Sequence, residues 1–123
     1  MAVLLGLLMY PGNAHAAPPA CAPPVASTTQ PGYLVADPAC DPDGTPFAPV
    51  AGSTVDTGIL NGAAYRLERP ARWNGELVVF AHGYRGTGTT VFVSSPSLRA
   101  YYLERGFAWA ASGSQDAAFR PGV

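Results

Sequence analysis

The sequence predicts an α/β fold in which an antiparallel hairpin precedes a parallel strand-helix-strand unit. Three observations within residues 53–123 support this order. Two short runs of strand-forming residues flank Asn61-Gly62, a dipeptide typical of two-residue hairpin turns. An unbroken apolar run at residues 77–81 is typical of a strand buried on both faces. A segment with helix signals then separates it from a second apolar run, residues 107–111.

Each element has its own local signals. The hairpin strands are predicted at residues 55–60 and 63–68, and "RPARWNG" at residues 69–75 is predicted as a turn whose Trp73 packs over the sheet edge. A strand is predicted at 76–81. In "SSPSLRAYYLERGF" a helix is predicted with Ser94 or Ser95 as N-cap, Pro96 in its first turn and Gly106 as its stop. Because no hairpin joins the two apolar strands, we expect them to be parallel.

The chain divides into three segments: a signal peptide at 1–16, a proline-rich lead-in pinned by a disulfide at 17–52, and the predicted domain at 53–123. The apolar block "AVLLGLLMY" is followed by Pro11-Gly12 and by "AHA", the small-residue pattern of a cleavage site, so we expect cleavage after Ala16. Neither Lys nor Arg precedes the block, which departs from the usual pattern. The block is too short to span a membrane.

Proline and cysteine define the lead-in. Ten of the thirteen prolines precede residue 50, so residues 17–49 are predicted to form neither a regular helix nor a central strand. Cys21 and Cys40 are the only cysteines, and in an exported protein they predict one disulfide. The only histidines are His15 and His82, and because His15 is expected to be removed with the signal peptide, a four-ligand zinc site cannot be assembled.

Composition and spacing exclude other ligands. The aspartates in "DPACDPDG" resemble a calcium loop, but the bidentate glutamate that ends an EF-hand loop is missing. The net charge is −1 and the chain has no lysine, so it offers no basic patch for nucleic acid. Gly83 and Gly88 have the spacing of a phosphate-binding loop, yet Thr89 and Thr90 stand where that motif needs Lys and then Ser or Thr. No metal and no cofactor is therefore expected.

The segments "WNGELVVFAHGYRGTG" and "LERGFAWAASGS" resemble secreted bacterial α/β-hydrolases of the serine esterase and lipase type, over residues 55–114. The resemblance implies the N-terminal part of an α/β-hydrolase sheet, incomplete in this chain. It implies an oxyanion-hole loop at His82, Gly83, Tyr84 and Arg85, with the backbone N–H of Tyr84 as a donor. In this interpretation His82 shapes the loop and is not the catalytic base. A strand-end histidine that only packs, and a solvated Arg85, are the alternatives.

The catalytic residues of such an enzyme are not present in this chain. None of the seven serines lies in a G-x-S-x-G motif, and no histidine follows His82. We therefore expect an amino-terminal fragment of a secreted serine hydrolase, inactive alone, whose full-length relative acts on small-molecule carboxylic esters or, less favoured, on peptides. The alternative is a small secreted binding module, non-catalytic, with one disulfide.

Overall fold

A computed structural model of the chain describes residues 20–82 and 88–113. Within them the chain forms seven strands and one helix. The elements are β1 (Val25–Ala26), β2 (Leu34–Val35), β3 (Ser53–Leu60), β4 (Ala63–Pro70), β5 (Leu77–Phe80), β6 (Thr90–Val91), α1 (Arg99–Glu104) and β7 (Ala108–Gly113). They build a four-stranded sheet in the order β3-β4-β7-β5 and a three-stranded sheet in the order β1-β2-β6. The predicted signal peptide lies outside the described residues.

The predicted α/β fold, and with it an α/β-hydrolase sheet, is wrong for the described residues. These residues are mostly β-strands in two mixed sheets, and α1 is only six residues long. The predicted caps do not start the helix, because Ser95 bonds to Arg66 and Ser94 Oγ is buried without a hydrogen-bond partner within the described part of the chain. The helix begins after Leu98, without a side-chain cap. So short a helix covers little of a sheet.

The hairpin is confirmed at its predicted turn. β3 and β4 pair antiparallel from Ser53 opposite Pro70 to Leu60 opposite Ala63, so both strands are longer than predicted. Asn61 and Gly62 have φ values of 49° and 76°, the left-handed conformation that both central residues of a type I′ turn require. The predicted helix stop is also confirmed, because Gly106 follows α1 with a φ of 85°.

β7 is one of the two interior strands of the four-stranded sheet. It pairs antiparallel with β4 and parallel with β5, which confirms the expected direction of the two apolar strands. Trp109 of β7 is fully buried, and the core around it contains Val35, Ala64, Val93, Leu103 and Ala111. Phe47 of the lead-in and Val78 and Phe80 of β5 pack against this cluster.

The prediction that β5 is buried on both faces is wrong. Val78 and Phe80 pack on the core, whereas Leu77 and Val79 on the opposite face are 47% and 73% exposed. β5 is the last strand in the order β3-β4-β7-β5, so within the described residues β7 is its only neighbour. The apolar run therefore marks an edge strand covered on one face.

The lead-in contributes a central strand, contrary to prediction. β2 lies between β1, with which it pairs antiparallel, and β6, with which it pairs parallel. The residues between Pro31 and Pro38 contain no proline, so Leu34 and Val35 keep the backbone N–H groups that a ladder needs. Proline prevents a ladder hydrogen bond only at its own position. The proline-free residues 32–37 are long enough to contain the two-residue strand β2.

Gly113, at the end of β7, permits a close backbone contact. A Cβ built on Gly113 would overlap the carbonyl carbon and oxygen of Phe92, which are main-chain atoms and cannot rotate away. We expect Gly113→Ala to lower the free energy of unfolding by about 1–3 kcal/mol. Urea denaturation measures this loss, and Gly88→Ala is the control because a Cβ there meets nothing within 4 Å. Equal losses for the two variants would contradict the prediction.

Candidate functional site

The predicted oxyanion loop begins at one edge of the four-stranded sheet. β5 and β7 are parallel and Phe80 is paired with Ala111, so both strands end at this edge. His82 follows β5 by two residues and is half-buried. Gly83, Tyr84 and Arg85 lie outside the described residues. The structure therefore describes the residue at which the predicted loop starts, His82. The backbone N–H donors of the loop remain a prediction.

The predicted disulfide is present. Cys21 and Cys40 are bonded, with their Cα atoms 6.0 Å apart, and the bond joins the start of the described chain to the turn at residues 40–46. Asp37 supports the same junction, because its carboxylate accepts hydrogen bonds from the backbone N–H groups of Ala22, at 2.8 Å, and Ala39, at 2.9 Å. A disulfide is compatible with an extracellular location.

A buried arginine connects the lead-in to the sheet. Arg66 of β4 is fully buried, and its Nη1 donates to Asp41 Oδ1 at 2.8 Å and to Ser95 Oγ at 2.9 Å. Its Nε and Nη2 donate to the carbonyl oxygens of Pro38 and Cys40 at 2.6–3.0 Å. Burial lowers the pKa of Arg66, although the hydrogen bond to Asp41 and its charge oppose the shift. These five bonds use the five N–H groups of the guanidinium, so none is left for a substrate anion.

A second buried charged residue, Glu68, lies in the same strand as Arg66. Glu68 accepts hydrogen bonds from the backbone N–H of Val50 and the hydroxyl of Ser53, both at 2.6 Å. It also accepts from Trp109 Nε1 at 2.9 Å and from Arg99 Nη1 at 3.0 Å. Burial raises the pKa of Glu68, but the hydrogen bonds together outweigh burial and hold the pKa below its ordinary value. The carboxylate is therefore ionised at neutral pH.

The ring of Phe47 lies between Arg66 and Arg99, the arginine that pairs with Glu68. The guanidinium of Arg66 is 3.9 Å and that of Arg99 4.6 Å from the centre of its ring, and Trp109 meets the ring edge-on at 6.3 Å. The lead-in is thus joined to the sheet by one ion pair, by hydrogen bonds and by one aromatic ring. The charged atoms of Arg66 and Glu68 all have partners within the described residues, so these two side chains are structural.

This network was not predicted from the sequence. Residues 66 and 68 were predicted to lie in a strand, where a spacing of two residues puts both side chains on one face. That face is the one that carries Ala64 and packs against the core. The alternation in "AYRLE" was the available signal, but polar residues at alternate positions more often mark a solvated face.

A pocket lies beside the disulfide. It has a volume of about 360 Å³ and is lined by both cysteines, by the aspartates of the lead-in at 37 and 41, and by Thr90 and Phe92. The remaining lining residues are Ala22, Pro24, Ala36, Pro42 and Gly44. Thr90 lies two residues after Gly88, where the described chain resumes beyond the predicted oxyanion loop. This pocket was not anticipated from the sequence.

Within residues 20–82 and 88–113, no group of three or more His, Cys, Asp or Glu side chains is arranged to hold a metal ion. The helix in this part of the chain is too short to cross a membrane. No protein family, curated protein or solved structure matches the chain.

Proposed function

We propose that this chain is the part of a secreted serine-type hydrolase that supplies the oxyanion-hole loop for carboxylic-ester cleavage. The observation that carries the proposal is the position of His82. It follows an apolar strand that runs parallel to β7, and a glycine-rich segment comes next in the sequence. The resemblance of "WNGELVVFAHGYRGTG" to secreted bacterial α/β-hydrolases supports the assignment and concerns the loop, not the fold class.

The chemistry assigned to the loop is stabilisation of developing charge. Ester hydrolysis passes through a tetrahedral intermediate whose former carbonyl oxygen is negative. Backbone N–H groups aimed at that oxygen contribute about 3–4 kcal/mol each to the transition state. The resemblance assigns one such donor to Tyr84, and Gly83 has no side chain to hold the substrate carbonyl away. Arg66 and Glu68 are buried side chains of β4. β4 pairs with β7, and β7 pairs with β5, the strand that precedes the loop.

The proposal requires groups that these residues do not supply. An activated nucleophile needs a base, and neither G-x-S-x-G nor a histidine after His82 occurs in the sequence. In this proposal the chain contributes the oxyanion loop and not the nucleophile, acid or base. The apolar block and "AHA" motif of residues 1–16 support export, and the disulfide is compatible with it.

The test separates the loop from the catalytic residues. The purified chain should not hydrolyse p-nitrophenyl esters above background. In a full-length relative with the same loop, the change equivalent to Gly83→Val should displace the Tyr84 donor. We expect kcat to fall about 10²–10³-fold with a much smaller change in KM. The change equivalent to His82→Asn should cost less than removal of that enzyme's catalytic histidine.

Two results would overturn this assignment. Turnover by the isolated chain would place a nucleophile within these residues. A His82 variant as inactive as a nucleophile variant would make that histidine catalytic and not a shaping residue.

A second candidate function is a secreted, non-catalytic binding module with one disulfide. One observation favours it, namely the pocket beside Cys21 and Cys40, whose volume of about 360 Å³ lies in the range of small-molecule sites. Saturable ligand binding in that pocket, together with no effect of the Gly83 change in the relative, would favour this module over the hydrolase.

A further inference from the structure

A disulfide, two turn hydrogen bonds and a β-bridge hold the walls of the pocket beside Cys21 and Cys40 in place. The Cys21–Cys40 bond forms part of the wall. In the turn that follows, Asp41 N donates to Thr45 O at 2.8 Å and Gly44 N donates to Asp41 O at 2.9 Å. Cys40 and Pro46 form an antiparallel bridge across the same turn. A ligand would therefore enter a site that needs little ordering, which favours binding.

The pocket is apolar with very few polar groups. Alanine, proline and phenylalanine side chains make up much of its lining, from residues 22, 24, 36, 42 and 92. Asp37 also lines it, but both of its carboxylate oxygens already accept backbone N–H groups. Asp41 differs, because Oδ1 accepts from Arg66 and Oδ2 has no protein partner within the described residues. Its side chain is 36% exposed, so the carboxylate can be approached from solvent.

The charges around the pocket favour a cation. Asp37 and Asp41 line it, and Asp43 lies in the same turn. The guanidinium of Arg66, which pairs with Asp41, donates all five of its N–H groups within the protein. A ligand anion would find no free donor on Arg66, whereas an ammonium group can donate to the unpaired oxygen of Asp41.

We infer that this pocket binds a small organic amine, with an apolar body about the size of one aromatic ring among the alanine, proline and phenylalanine side chains and its ammonium on Asp41 Oδ2. The site does not depend on the hydrolase function proposed above. It recognises a positive charge, whereas the proposed oxyanion loop recognises a negative one.

Three probes of matched size test the inference. Phenethylamine, 2-phenylethanol and phenylacetate share an aromatic ring and differ in charge, and each is titrated into the oxidised protein while amide NMR shifts are followed. Phenethylamine should give saturable shifts at Ala22, Ala36 and Thr90. We expect 2-phenylethanol to bind about tenfold more weakly, because a hydrogen bond to a charged group is lost. Phenylacetate should not bind.

Variants identify the recognising group. Asp41→Asn should weaken phenethylamine binding about tenfold and leave 2-phenylethanol unchanged. Asp43→Asn is the matched control, because that carboxylate lies in the same turn but does not line the pocket. Since Asp41 also pairs with Arg66, a second variant is needed: Ala22→Leu, at an exposed position, should fill the pocket and abolish binding of both probes.

Several outcomes overturn the inference. These are equal affinity for amine and alcohol, binding of phenylacetate, no saturable shift at the pocket residues, or unchanged amine affinity in both Asp41→Asn and Ala22→Leu. If Asp41→Asn does not fold, the Ala22→Leu result decides the location and the three-probe comparison decides the charge preference.

Discussion

Replacing Glu68 by leucine should lower the free energy of unfolding by about 3–5 kcal/mol, the usual cost of removing one partner from a buried ion pair. The carboxylate is fully buried and accepts from Trp109, from Arg99, from the backbone N–H of Val50 and from the hydroxyl of Ser53. Leucine has a similar size but accepts no hydrogen bond, so a buried indole N–H and a backbone N–H lose their acceptor. Urea denaturation of the purified chain measures the loss.

Glu104→Gln is the matched control for this variant. Glu104 is an exposed carboxylate in α1, and we expect its replacement to change stability by less than about 0.5 kcal/mol. If the two variants lose the same stability, the network around Glu68 does not stabilise the fold as proposed.

The ionisation of Glu68 also predicts a pH dependence. Its pKa in the folded protein is lowered, so its contribution is fully present above the pKa of an unfolded glutamate, about 4.3. The contribution is lost as the pH falls through the lowered folded value. The stability difference between the wild type and Glu68→Gln should therefore be large at pH 7 and shrink in strongly acid solution. A difference that does not change with pH would mean that Glu68 is not ionised in the folded state.

Removing the disulfide should lower the free energy of unfolding by about 3 kcal/mol. The bond closes a loop with a sequence separation of 19 residues, and the loss of chain entropy in the unfolded state accounts for a stabilisation of this size. For a chain of this length, the midpoint of thermal unfolding should fall by more than about 10 °C. The Cys21→Ser, Cys40→Ser double variant tests this by calorimetry.

The wild type under reducing conditions is the control, since it should lose as much stability as the double variant. The disulfide and Arg66 meet at Cys40, whose carbonyl oxygen accepts from Nη2 at 2.6 Å. We therefore expect the loss of the disulfide and an Arg66→Met change to be non-additive. Strict additivity, or an unchanged midpoint without the bond, would contradict this account.

Features that depend on a few neighbouring residues could be predicted from the sequence alone. The hairpin turn needs two residues that tolerate positive φ, and Asn61-Gly62 is such a pair. The helix stop at Gly106 follows the same reasoning. The disulfide could be predicted because the chain has only two cysteines. The direction of β5 and β7 followed from the connection between them.

Only the tertiary structure decided the fold class, the one-sided burial of β5, the central position of β2 and the buried charges. Each depends on contacts between residues far apart in the chain. Arg66 bonds to carbonyl groups 26 and 28 residues earlier, and Glu68 bonds to Trp109, 41 residues later. A charged residue in a strand is buried only if such partners reach it, because burying an unpaired charge costs too much free energy. Local patterns carry no information on whether distant partners meet, so here the sequence determined the turns and the disulfide, and the long-range contacts determined the core.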